Sequence, residues 1–320
     1  MKKIHLIKNR SELGAGTRGA SLGIEAMEVA ALNKQSDFFN RYSVANVDVK
    51  NNAIYKPVTT PEAIHVEAIV DVYKSVANHV KSVLSTGDFP LVLAGDHASA
   101  GGTIAGVKMA HPDKTIGVVW VDAHGDLHSP FTSPTGNVHG MPLATALAYD
   151  NQENKIREVS EQTESFWKQL KNLGGIEPKL KPEHLVMFGV RDTEAPEVNL
   201  MNHLGIKNYS VEEMRYRGFD LCLSESLQRL QMCDVIYISF DVDSMDCDLI
   251  SKGTGTPVSK GFDQHEVEHI MKAFIATGKV SCLEVVEVNP TLDEKQNRMA
   301  ETAFSVLENL TKSLEKQLES

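Results

Sequence analysis

Ile116-Gly117-Val118-Val119-Trp120-Val121 runs straight into Asp122-Ala123-His124-Gly125-Asp126. An uncharged run, rich in β-branched side chains and without polar alternation, suits a strand covered on both faces, as in a parallel sheet. The next five residues carry three titratable side chains at alternate positions. Open α/β sheets present their ligand-binding groups in this way, at the carboxyl ends of core strands.

The pattern recurs along the chain. Residues 91–94 lead into Gly95-Asp96-His97, and 185–190 lead into Arg191-Asp192-Thr193-Glu194. Residues 235–239 lead into Phe240-Asp241-Val242-Asp243, and 282–286 into Glu287-Val288-Asn289. A further apolar run spans 3–7. Between these runs, apolar residues at helical spacing predict helices over 63–84, 100–109, 211–231, 264–277 and 298–318. Alternating strands and helices predict an α/β fold with a doubly wound, mostly parallel sheet. No repeat or Pro/Gly/Ser linker divides the chain, so residues 1–320 are expected to form one domain. The polar stretch 151–181, helix-like at 166–173, reads as an insertion on its surface. The last predicted helix is expected to pack on the sheet.

Composition narrows the function. Of 320 residues, 42% are hydrophobic and 23% charged, ordinary for a globular protein and too apolar for disorder. Lys+Arg 32 against Asp+Glu 43 gives a net charge of −11, which disfavours nucleic-acid and anionic-membrane partners. The four cysteines have no CxxC spacing, which points to a reducing compartment. No apolar run approaches the roughly 18 residues of a membrane helix, and the first residues lack a signal-peptide core. A cytoplasmic location is expected.

Asp122, His124 and Asp126 would face one way in an extended chain. The outer two would then lie roughly 13 Å apart, too far for one ion. Either the chain curls as it leaves the strand, or the three residues serve more than one metal. Asp241 and Asp243 can share their site, and His97 arrives from a third strand. Four carboxylates and two imidazoles without a thiolate suit Mn²⁺. Their charge calls for two divalent ions, which roughly 3.5–4 Å apart can bridge and acidify a water; that makes a hydrolase. Any one of these segments alone could be a polar turn. Lys and Arg are absent from 121–142 and 239–247, and Glu287 adds negative charge. A cationic or neutral substrate with an electrophilic carbon fits, and a guanidinium group is one.

At these residues the chain resembles the arginase family of ureohydrolases. The resemblance covers nearly the whole chain, through Gly14-Ala15-Gly16-Thr17-Arg18-Gly19, Gly95-Asp96-His97, residues 122–126 and 239–246, Gly255-Thr256-Pro257 and Glu287-Val288-Asn289-Pro290. It implies a three-layer α/β/α sandwich with a sheet of about eight strands. It also implies one Mn²⁺ on His97, Asp122, Asp126 and Asp241, and a second on His124, Asp122, Asp241 and Asp243, with Co²⁺ or Ni²⁺ as substitutes. A bridging hydroxide would attack the guanidinium carbon of L-arginine, giving L-ornithine and urea. Asp126 would move the proton, His139 would shuttle protons, and Glu287 would orient the guanidinium with help from Thr256.

Ser133, Thr135 and Asn137 match positions that hold the α-carboxylate, and Glu194 and Glu197 match positions that receive the α-ammonium. Agmatine lacks the carboxylate, so the loop 130–140 separates the two substrates. Three positions depart from the common pattern. His128, itself a substrate-binding candidate, replaces an asparagine frequent in animal members, Glu194 replaces the more usual aspartate, and Cys247 stands where proline is common. Family members assemble as trimers or hexamers, so a homo-oligomer is expected. Competing expectations are a sibling acting on agmatine, guanidinobutyrate or formimidoylglutamate, and a binding protein that uses metal only for stability. Asp126, His139 and Glu287 together argue against the binder.

Overall fold

The strand 116–121 forms as its sequence predicts and is buried at every position. The structure is a computed structural model and describes residues 2–319. It contains β1 (Ile4–Asn9), β2 (Ser43–Asn46), β3 (Phe89–Ala94), β4 (Ile116–Val121), β5 (Leu185–Phe188), β6 (Lys207–Tyr209), β7 (Val235–Asp241) and β8 (Val280–Val286). All eight pair in parallel, in the order β2-β1-β3-β8-β7-β4-β5-β6. The helices are α1 (Gly23–Asn33), α2 (Phe38–Arg41), α3 (Val66–Ser85), α4 (Ser99–Ala110), α5 (Pro142–Leu147) and α6 (Glu161–Lys171). They continue with α7 (Ala195–Leu204), α8 (Val211–Arg217), α9 (Phe219–Arg229), α10 (Gln264–Ile275) and α11 (Arg298–Glu319).

The two-residue period of a strand sends alternate side chains to opposite faces and builds two cores. Val119 and Val121 join one with residues of α1, α10 and α11; Val118 and Trp120 join the other with residues of α3, α4 and α5. Burying each such Leu, Ile or Phe contributes roughly 1.5–3 kcal/mol, so neither core needs a covalent staple. All four cysteines are free and buried. The C-terminal helix packs as expected, through Phe304, Leu307, Leu310 and Leu314.

Three local features differ from the sequence expectation. The helix expected over 211–231 is two, α8 and α9, because Gly218 between them adopts φ 93 and ψ 137, which only glycine takes readily. The edge strands β2 and β6 have four and three residues, too few for a periodic signal. In 151–181 the helix starts earlier than its apolar residues suggest. Ser160 caps it by accepting from Thr163 N, and Trp167 and Leu170 reach the α3 core. Trp167 Nε1 also donates to Asp150 at 2.7 Å, so the segment is anchored.

The five strands with polar ends, β3, β8, β7, β4 and β5, are consecutive neighbours in the sheet. Because they are parallel, their carboxyl ends form one rim.

Candidate active site and metal centre

Beyond β4 the chain curls. Asp126 has φ 51, a left-handed backbone uncommon for a residue with a side chain. The curl brings Asp126 back beside Asp122, and His124 faces a separate group. Both sequence alternatives therefore hold: the chain bends, and its three residues serve two positions.

The first group gathers around His97. Its Nδ1 lies 2.9 Å from Asp122 Oδ2, 3.1 Å from Asp126 Oδ2 and 3.1 Å from Asp241 Oδ2. The second gathers around His124, whose Nδ1 lies 3.0 Å from Asp243 Oδ2 and 3.5 Å from Asp122 Oδ1. Asp122 thus gives one oxygen to each group. Asp241 gives Oδ2 to the first, while its Oδ1 accepts from Asp243 N at 2.8 Å and fixes the turn after β7.

Beside His97, His139 Nδ1 donates to Glu287 Oε1 at 3.0 Å, and His97 N donates to the same oxygen at 2.9 Å. Glu287 Oε2 is buried without a partner. Thr256 Oγ1 donates to Asp243 Oδ2 at 3.2 Å, so this hydroxyl braces the second group. Ser133, Thr135, Asn137, His128, Glu194 and Glu197 line the outer part of the same cleft, of about 760 Å³ including its open mouth. Every site residue expected from the sequence is therefore at this rim.

Within the outer part, several groups are already engaged. Ser133 Oγ accepts from Gly136 N and Thr135 Oγ1 from Asn137 N, which shapes the loop. Glu197 accepts from Leu127 N at 3.1 Å and from Glu194 N at 3.2 Å. Glu194 Oε2 accepts from His128 Nε2 at 2.9 Å.

The inner groups fit metal ions on their own chemistry. His97 Nδ1 and Asp122 Oδ2 are buried and adjacent, yet neither makes a hydrogen bond. One ligand atom from each of His97, Asp122 and Asp126 falls within 4.8 Å of the others, and the same holds for Asp122, His124 and Asp243. Buried charges this close are costly unless a counter-charge joins them. Donor atoms that converge without bonding one another are what a coordinated cation needs.

The Arginase family model matches residues 3–312. The chain belongs to the arginase family. It is 35% identical over 311 residues to the arginase of Bacillus subtilis (strain 168), covering 97% of each chain. It is 32% identical over 320 residues to that of Bacillus caldovelox, covering 97% of this chain and 98% of the relative. A crystal structure of the Bacillus subtilis arginase superposes with a TM-score of 0.82 at 33% identity, covering 97% of this chain and 98% of that one. The arginase-family fold expected from the sequence, a largely parallel eight-stranded sheet between helical layers, is the one observed. The family is one of metal-dependent hydrolases, which agrees with the two ligand groups at the rim.

The electrostatics of this arginase-family site follow from burial. Asp241 is pushed well above the usual carboxylate range by burial, then by Asp243 and Asp122. Asp126 is raised to about 6, by burial and then by Asp122. Burial would also raise Asp122, but His124 and His97 hold it below the usual range. Burial would lower His97, yet Asp122, Asp126 and Asp241 carry it well above the ordinary imidazole value. In the outer cleft, burial raises Glu197 to about 8. The half-exposed Glu194 is lowered despite its burial, through His128.

Two residues that orient His97 are not apparent from sequence. Trp120 stacks on its ring, with centroids 4.1 Å apart and planes 4° from parallel. Ser239 Oγ is hydrogen-bonded to its Nε2 at 2.7 Å. Trp120 and Ser239 are register partners across β4 and β7, so one rung fixes both the plane and the far nitrogen of His97. The only local hint is that Ser239 lies two residues before Asp241, on the same face of β7.

Proposed function

We propose that the chain hydrolyses L-arginine to L-ornithine and urea. The observation that carries this reading is Asp122, shared between the His97 and His124 groups, with Glu287 bonded to His97 N and one of its oxygens unpaired. One ion belongs on His97, Asp122, Asp126 and Asp241, and the other on His124, Asp122, Asp241 and Asp243. Mn²⁺ suits this hard, thiolate-free donor set, and Co²⁺ or Ni²⁺ can occupy it. When bound, such a pair acidifies a water enough for it to act as nucleophile near neutral pH.

Glu287 Oε2 receives the guanidinium and aims its carbon at the ligand groups. Water adds its oxygen to that carbon, the bond from carbon to the alkyl nitrogen breaks, and the amine leaves with a proton. Asp126, in the first ligand group, would take that proton and give it up again. His139, raised to about 8 by Glu287 against the effect of burial, exchanges protons with the cleft. Thr256 keeps Asp243 in place. Ser133, Thr135 and Asn137 offer neutral donors to the α-carboxylate, and the Glu194–Glu197 wall receives the α-ammonium.

The whole chain acts as one catalytic domain, with 151–181 anchored on α3. A homo-oligomer, trimer or hexamer, and a cytoplasmic location complete the proposal; the four free thiols support the latter. Urea release from arginine, agmatine, guanidinobutyrate and formimidoylglutamate in the presence of Mn²⁺ tests the reading. Arginine should be turned over most efficiently, and no urea from arginine would overturn it.

A further inference from the structure

The two acidic residues of the outer cleft are not equivalent. Both oxygens of Glu197 are committed to backbone, Oε1 to Leu127 N and Oε2 to Glu194 N, and its side chain is only 3% exposed. Glu194 caps α7, where its side chain accepts from Glu197 N, yet it is 55% exposed, so its carboxylate still faces the cleft. A glutamate at this exposure samples several rotamers unless something holds it. Besides the cap from Glu197, the side chain that holds it is His128, which crosses from the loop after β4. Its Nε2 lies 2.9 Å from Glu194 Oε2 and 3.4 Å from Glu197 Oε2. Its Nδ1 lies 3.1 Å from Thr132 Oγ1, which fixes the ring from the other side. Facing two carboxylate oxygens, Nε2 is a nitrogen that carries a proton.

We propose that His128 is a positioning and specificity-determining residue, which tethers Glu194 so that its exposed carboxylate selects guanidino substrates bearing an amine at the far end. The inference rests on the guanidino-hydrolase reading above and assigns a selection rule within that cleft. His128 acts through Glu194. The ring is already engaged on both nitrogens, so it is not available to hold a substrate carboxylate.

Three substrates separate the possibilities: arginine carries amine and carboxylate, agmatine only the amine, and 4-guanidinobutyrate only the carboxylate. His128→Leu should raise KM about tenfold for arginine and agmatine, the size of one lost charge-assisted hydrogen bond. It should leave KM for guanidinobutyrate unchanged, with kcat changed much less than KM. His128→Gln, which keeps an N–H donor at similar reach, should restore most of the loss. Glu194→Gln should show the same selective defect, and adding His128→Leu to it should cost little more, because the two residues act as one unit. Circular dichroism and metal content of each variant guard against misfolding, and the Gln rescue separates a lost donor from a disturbed fold. Parallel rises for arginine and guanidinobutyrate with agmatine unaffected would place His128 on the carboxylate and overturn the tether. Additive effects in the double variant would overturn it too. Failure of the unaltered protein to release urea from arginine is a different result; it would sink the underlying reading and the tether with it.

Discussion

His139 Nδ1 and Glu287 Oε1 lie 3.0 Å apart, and the second oxygen of that buried carboxylate has no partner at all. One oxygen is held by His139 and His97 N, and the other has no hydrogen-bond partner. His139→Asn should therefore lower kcat about a hundredfold or more, as loss of a proton-transfer group does, while metal content is unchanged. Metal analysis beside steady-state kinetics checks this, and loss of both ions would refute the shuttle role.

The same pair sets a pH dependence for the metal-free protein. The folded state raises His139 from 6.5 to about 8, so it binds a proton more tightly than the unfolded chain does. Its stabilisation is full below about pH 6.5 and is lost as pH rises through about 8, and amounts to about 2 kcal/mol at most. The stability difference between wild type and His139→Asn, from urea titrations of chelator-treated protein, should shrink over that window. A difference that grows with pH would contradict the assignment.

Four buried carboxylates lie within the two ligand groups: Asp122, Asp126, Asp241 and Asp243. Chelation should lower the melting temperature, and Mn²⁺ should raise it again in a concentration-dependent way, by linkage. Asp126→Asn should abolish urea release and bind less metal than wild type, measured by elemental analysis after dialysis. Equal metal content in the two proteins would remove Asp126 from the ligand set.

Ser239 touches no substrate in this scheme, yet it holds the far nitrogen of His97. Ser239→Ala should weaken metal affinity about 10–100-fold, the usual effect of losing a partner behind a ligand. Activity should return when excess Mn²⁺ is supplied. Activity that stays lost at saturating metal would mean that the serine does more than orient His97.

Glu284 is fully buried in β8 and accepts from Tyr237 Oη at 2.5 Å. Tyr237→Phe removes one donor from this buried carboxyl and should cost about 1–3 kcal/mol in denaturant titration. Tyr237→Phe combined with Glu284→Leu should recover part of that loss, because no buried acceptor is left unpaired.

Much of the rim was readable along the chain. Mostly apolar runs marked β3, β4, β5, β7 and β8, and the residues ending them supplied all six proposed ligands. The missed elements are short or exposed. The three residues of β6 cannot display a period, and β2 is largely solvent-facing, so neither carries a core pattern. The break between α8 and α9 was hidden because apolar spacing continues across Gly218.

The sequence by itself determined which donors exist, that they follow core strands, and that 121–142 and 239–247 hold no Lys or Arg, because composition and period are local properties. The tertiary structure decided which atom meets which. It turned Asp126 back through a left-handed backbone, divided the oxygens of Asp122 between two imidazoles and set Trp120 and Ser239 on one rung behind His97. It also committed Glu197 to backbone and set His128 against the exposed Glu194. Each of these depends on strand register and loop curvature between residues far apart in the chain, and local spacing carries no record of either.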